Sequence, residues 1–247
     1  MIKDERQTEI MSILQEKQYA SVAYLSKKLY ASLPTIRRDL TMLENKGYVK
    51  RSHGGAMIID SEKVEIPVAF RNTKHMNEKI KMCKLAISLV NDNDVIFLDA
   101  STTVMHIADL LKTKENITVI TNSIQVCNIL YKHNIKVYCT GGYLIENSLA
   151  FVGKRAEEFV SDFRADIMFF SSCAFDNEGF VTDYSELETS VRKTMFKYAK
   201  KKVFLCDSSK FDKSSTFNVI HLKDLDHMIS DVALPESLRK YQTKQII

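Results

Sequence analysis

The stretch Ser32-Leu33-Pro34-Thr35-Ile36-Arg37-Arg38-Asp39-Leu40-Thr41-Met42-Leu43-Glu44-Asn45-Lys46-Gly47 has the pattern of one helix with two unlike faces. Ser32 is a residue type that caps a helix start, Pro34 is tolerated in a first turn, and Gly47 supplies a left-handed stop. Leu33, Ile36, Leu40 and Leu43 recur at helical spacing and predict one buried stripe. At about 100° per residue, Pro34, Arg38, Thr41 and Asn45 fall on the opposite face, with Thr35 and Arg37 on its flanks. A short-chained, cationic face of this kind fits the major groove of a nucleic-acid duplex.

Working outward, Ile10, Ile13 and Leu14 predict an amphipathic helix from Glu5 to about Lys17, with acids in its first turn. Ser21 stands at an N-cap before Val22, Leu25 and Leu29 and predicts a second, short helix. Beyond Gly47, Tyr48 to Ile58 is a pair of β-rich runs around Gly54-Gly55, a hairpin carrying Lys50, Arg51 and His53. Three helices and a basic hairpin describe a winged helix-turn-helix. The candidate DNA contacts are Ser32, Pro34, Thr35, Arg37, Arg38 and Thr41 on the third helix and Lys50, Arg51 and His53 on the wing. Arg37 and Arg38 also fit a plain solvated face, and His53 also fits ordinary turn chemistry. A metal role for His53 would need a second ligand at binding distance in the sequence, and none is there.

Charge supports the same reading. Residues 1–56 hold ten basic and six acidic residues and so carry the whole net charge of +4, leaving the remaining 191 neutral. That is the distribution expected of a small module that meets a polyanion. With 45% hydrophobic and 27% charged residues the chain is ordinary globular material, and 7 Gly and 3 Pro in 247 residues argue against collagen, low-complexity and turn-dense all-β architectures. Apolar runs such as Val95 to Leu98 are too short to span a bilayer. The start of the chain is charged where a signal peptide is apolar. Five irregularly spaced cysteines (83, 127, 139, 173, 206) fit reduced thiols in a cytosol.

Residues 58–77 read as a linker between a module at 1–57 and a larger domain at 78–247. The linker is polar from Ile58 to Lys63 and forced to extend at Ile66-Pro67. A helix follows between Glu78 and Val90. From there, Val95–Leu98, Ile117–Ile120, Ile135–Cys139, Ile167–Phe170 and Val203–Leu205 read as buried strands. Helical stretches at Met105–Leu111, Ile124–Leu130 and Leu187–Tyr198 lie between several of them. Apolar strands alternating with helices imply an α/β domain with a mostly parallel sheet covered on both faces.

Ligands of such sheets bind beyond the carboxyl ends of strands. Each predicted strand there runs into small, polar or charged residues: Asp99, Ser101, Thr102 and Thr103; Thr121 and Asn122; Gly141 and Gly142; Ser171; and Asp207 to Lys210. Hydroxyls, helix-start amides and a lysine on one edge suit a phosphate with hydroxylated carbon behind it. Single clusters of this kind are also ordinary helix caps. Asp166, and Glu188 with Arg192 four residues on, complete the candidate set. The bland reading of the last two is a surface ion pair.

The combination of Thr35-Ile36-Arg37-Arg38-Asp39-Leu40 with His53-Gly54-Gly55-Ala56 resembles the signature of DeoR-type bacterial transcriptional regulators. The likeness continues through Pro67, Arg71, Glu78-Lys79, Asp99, Thr102-Thr103, Thr121-Asn122, Gly141-Gly142, Gly153, Ala165-Asp166, Glu188 and Asp207 to Lys210. It implies a sensor domain resembling the ribose-phosphate isomerase and CoA-transferase fold. It further implies repression of a sugar-use operon, operator DNA as a partner, a phosphorylated sugar or related anionic metabolite as effector, and a dimer or tetramer. The expected effector residues are Asp99, Ser101, Thr102, Thr103, Thr121, Asn122, Gly141, Gly142, Asp166, Glu188, Arg192 and Lys210, with no cofactor and no metal. Ser101, Ser171 and Ala174 stand where the family pattern has glycine, and Arg192 where it has lysine. That implies a narrowed or reshaped pocket. Two alternatives remain: an isomerase-like enzyme with Glu188 as base, and an architectural DNA binder whose second domain only oligomerises.

Overall fold

The computed structural model describes residues 2–59, 68–241 and 244–247 and divides into two compact units, Met1–Lys74 and His75–Ile247. Residues 60–67 of the expected linker, with the Ile66-Pro67 bend, lie outside the described residues.

The first unit runs α1 (Lys3–Lys17), β1 (Tyr19–Ser21), α2 (Val22–Lys28), α3 (Leu33–Asn45), β2 (Val49–Ser52), β3 (Gly55–Ile58) and α4 (Val68–Thr73). Ser21 and Ser32 cap α2 and α3 by accepting from the amides of Tyr24 and Thr35, and Gly47 takes φ +76° past the end of α3. Ile10, Met11, Leu14, Leu25, Ile36, Leu40 and Leu43 form the core. Leu33 departs from the expected stripe. As the first residue of α3 it lies at the margin of the core and is 43% exposed, while Asp39 is buried instead. The wing has three strands in the order β1-β3-β2, because Tyr19–Ser21 adds to the hairpin. Gly55 permits this: a Cβ there would stand 2.5 Å from the Ala20 carbonyl oxygen. Part of the stretch read as linker, α4, sends Phe70 into this core, with its ring 6.1 Å from that of Tyr48.

The second unit runs α5 (Met76–Ala86), β4 (Val95–Leu98), α6 (Met105–Leu110), β5 (Thr118–Thr121), α7 (Ile124–Tyr131), β6 (Lys136–Cys139), β7 (Tyr143–Ile145), β8 (Ala150–Val152), α8 (Lys154–Ser161) and β9 (Ala165–Phe170). It continues with β10 (Ala174–Phe175), β11 (Phe180–Asp183), α9 (Glu186–Tyr198), β12 (Ala199–Leu205), β13 (Phe217–His221), β14 (His227–Ile229) and β15 (Lys244–Ile246). Seven strands form a parallel sheet in the order β15-β14-β12-β9-β4-β5-β6.

Strand alternation sends successive side chains to opposite faces. Ile96, Leu98, Ile167, Phe169, Val203 and Leu205 pack with residues of α5, α6 and α7, whereas Phe97, Met168, Phe170 and Phe204 pack with α8 and α9. Both faces are therefore covered. An antiparallel sheet β10-β11-β13 and a hairpin β7-β8 are additions that the sequence reading did not include.

Candidate functional site

On the first unit, α3 presents Arg37 and Arg38 exposed, their side chains making no hydrogen bond or ion pair among the described residues; Pro34, Lys50 and His53 are likewise exposed. Ser32 and Thr35 bond to each other, Oγ to Oγ1 at 2.8 Å. Thr41 and Arg51, both expected on DNA, also meet: Arg51 Nη1 donates to Thr41 Oγ1 at 2.8 Å, and the Arg51 amide donates to Glu44 Oε1. These bonds tie the wing to α3.

Beneath the exposed face lies a lock that sequence reasoning missed. Arg6 Nε donates to Asp39 Oδ2 at 2.6 Å and Gln7 Nε2 to Oδ1 at 3.3 Å, so α1 grips α3 from its buried side. Asp39 does not pair with its neighbour Arg38. Adjacent residues on a helix face apart.

On the second unit, the parallel registers align the strand ends: Leu98 stands beside Phe169 and Thr121, Thr121 beside Cys139, and Phe170 beside Phe204. Asp99, Ser101, Thr102, Thr103, Thr121, Asn122, Gly141, Gly142, Ser171 and Lys210 therefore share one edge. Gly142, at φ +110°, is required there because a Cβ would lie 2.6 Å from the Val152 carbonyl oxygen.

Asp166 is elsewhere. It is the second residue of β9, at the amino end of a parallel strand and so on the opposite edge. There it accepts from the Val95 amide at 3.0 Å and from Lys200 Nζ at 2.8 Å. The Lys200 hydrogen bond, helped by the Val95 amide, holds its carboxyl below the usual range.

Arg192 is not on the surface. It is 4% exposed and divides its donors among three carboxylates: Nε to Asp99 Oδ2 at 2.8 Å, Nη1 to Asp183 Oδ2 at 2.8 Å, and Nη2 to Glu188 Oε2 at 3.4 Å. Burial works against its charge, but Asp183, Asp99 and Glu188 outweigh it and raise its pKa, so it stays protonated. Asp99 is equally engaged, since its Oδ1 accepts from the amide and hydroxyl of Ser101 and its Oδ2 also from the Ser171 amide. These groups shape the edge by holding its loops. Asp183, at the end of β11, was not foreseen. The short alternating run Phe180-Val181-Thr182-Asp183 after Gly179 was the available signal.

The cations at the edge differ. Lys210 Nζ donates to Ser171 Oγ at 2.9 Å and lies 3.6 Å from Asp207 Oδ2. Lys79, on α5 and 4% exposed, donates to Thr102 Oγ1 at 3.1 Å. Burial raises the Asp207 pKa, but Lys210, Ser209, His75 and Lys79 together carry it below its ordinary value. Two buried polar atoms on adjacent strand ends, Thr103 Oγ1 and Asn122 Oδ1, have no hydrogen-bond partner among the described residues. Thr121 Oγ1 accepts from the Ser123 amide and serves the turn. Of the three residues in place of glycine, Ser101 binds Asp99 and Ser171 binds the Leu205 carbonyl, while Ala174 lies in β10 and packs into the core.

Residues 6–62 match the model of the DeoR-like helix-turn-helix domain and residues 74–232 that of the DeoR C-terminal sensor domain. The chain belongs to the DeoR family of transcriptional regulators. The transcriptional regulator GolR of Listeria innocua is 33% identical over 97% of this chain and 95% of that protein. The L-fucose operon activator of Haemophilus influenzae is 34% identical over 94% and 93%. The transcriptional repressor CsqR of Escherichia coli K12 is 30% identical over 98% and 93%. Among solved structures, a D-ribose-5-phosphate isomerase in complex with phospho-erythronic acid superposes with a TM-score of 0.43 at 16% identity, over 56% of this chain and 55% of that one. As a DeoR-family protein the chain is a DNA-binding transcription regulator, and among its described residues no helix is long and apolar enough to cross a membrane.

Proposed function

We propose that this regulator represses a sugar-metabolism operon and that a phosphorylated sugar, or a related anionic metabolite, changes its affinity for the operator. The observation that carries the reading is the pair of ammonium groups at the carboxyl edge of the sheet. Lys210 rests on Ser171 and Lys79 on Thr102, and the same edge carries hydroxyl and amide oxygens of Thr103 and Asn122 that have no partner among the described residues. Cations supported by hydroxyls suit a phosphate, and free polar atoms suit a hydroxylated carbon chain.

In this reading Thr102, Thr103, Asn122, Gly141, Gly142 and Lys210 face the effector, while the Ser101 hydroxyl holds Asp99. Asp99, Glu188 and Arg192 hold the loops, and Asp166 has no part. On the first unit Arg37 and Arg38 with Pro34 and Thr35 enter the major groove, while Lys50 and His53 meet phosphates. Ser32, Thr41 and Arg51 set the geometry of helix and wing. Two such modules in a homo-oligomer read a repeated operator.

The test is thermal shift of the full chain with a panel of phosphosugars. At least one raises the melting temperature of the natural protein, and Lys210→Ala abolishes that rise while DNA affinity without effector stays within about twofold. A panel that shifts nothing overturns the reading.

A further inference from the structure

Tyr30 joins α2 to α3, and two features of it conflict with a purely structural role. Its backbone φ is +53°, a conformation that glycine or asparagine adopts readily and a bulky aromatic does not. Its side chain is 97% exposed and makes no hydrogen bond, ion pair or ring contact among the described residues, so no packing offsets the strain. Strained residues that stabilise nothing in the fold are candidates for function.

The surroundings indicate what the ring meets. From Lys27 to Arg38 the chain contains no acid, and Lys27, Lys28, Arg37 and Arg38 are all exposed. The nearest acid along the chain, Asp39, is buried against Arg6. Tyr30 therefore stands in a turn whose free charge is wholly positive, two residues before the cap of the helix that bears Arg37 and Arg38. A protein partner of ordinary mixed charge has no reason to select such a turn, whereas a polyanion does.

We propose that Tyr30 is a DNA-backbone contact of this chain, its hydroxyl donating to a phosphate oxygen and its ring covering the adjacent sugar. Tyrosine is among the side chains that make such contacts, which fix register without reading sequence. A duplex of arbitrary sequence is therefore a sufficient probe.

The experiment measures fluorescence anisotropy of a labelled arbitrary-sequence duplex at low salt, and the melting temperature, for the natural full chain, Tyr30→Asn and Tyr30→Phe. Asparagine relieves the backbone strain, so Tyr30→Asn is expected to melt at or above the natural temperature while binding DNA about three- to tenfold more weakly. Tyr30→Phe keeps the ring and loses the donor, and should fall between the two. Binding by Tyr30→Asn equal to that of the natural chain overturns the proposal. So does a lowered melting temperature for Tyr30→Asn, because the ring would then be serving the fold.

Discussion

The two edges proposed to carry function in this molecule are built in opposite ways. On α3 and the wing, the side chains of Arg37, Arg38, Lys50 and His53 are exposed and unpaired among the described residues, and the polar residues engaged nearby bond to one another to hold shape. On the sheet edge of the second unit nearly every charged group is buried and already bonded to another part of the protein. A surface that meets a polyanion keeps its cations solvated until binding, since each is then released to a phosphate at small cost. A site for a small molecule must be organised beforehand, and its buried charges are tolerable only because they are paired.

The contrast breaks most visibly at arginine. Arg192→Met leaves Asp99, Asp183 and Glu188 buried without their cation. Chemical denaturation should register a loss of about 3–5 kcal/mol, the usual result of removing one partner of a buried charge cluster. Arg38→Ala should leave stability within about 0.5 kcal/mol. Its effect appears instead in DNA binding, at about 1–3 kcal/mol with altered sequence preference if it reads a base edge. An unchanged sequence preference with uniform weakening would assign it to phosphate.

Asp39 sharpens the comparison from within the first unit, because it is the one acid on α3 that is buried and paired like those of the sensor. Asp39→Asn should weaken operator binding about tenfold by loosening α3 on α1, with a smaller loss of stability than Arg192→Met. The smallest effect belongs to Ser171→Gly. Without that hydroxyl Lys210 loses its support and the strand end widens, so more phosphosugars should shift the melting temperature, each by little.

The winged unit was readable almost in full, because its information is local: caps at Ser21 and Ser32, the stop at Gly47, the turn at Gly54. The five predicted strands of the parallel sheet were readable for the related reason that a strand buried on both faces is a continuous apolar run. What was not readable depends on distance in the chain. Asp39 and Arg6 are 33 residues apart, and Arg192 and Asp99 are 93 apart; no periodicity connects them. The same limit explains why Arg192 looked like a phosphate ligand and Asp166 like a pocket residue. Residue type and motif position were right for both, but Arg192 is claimed by three carboxylates, from the loop after β4, from β11 and from its own helix, and Asp166 is at the wrong end of its strand. Ser101 and Ser171 likewise use their hydroxyls on the protein itself.

The central claim is that the sheet edge and the DNA-reading face are coupled. It is tested most directly by measuring the affinity of the full chain for its operator at increasing concentrations of a phosphosugar that shifts its melting temperature. Coupling predicts a change in operator affinity of about 5- to 150-fold, and an equal change in phosphosugar affinity when operator is bound, because linkage is reciprocal. A phosphosugar that binds the protein tightly and leaves operator affinity unchanged would contradict the account.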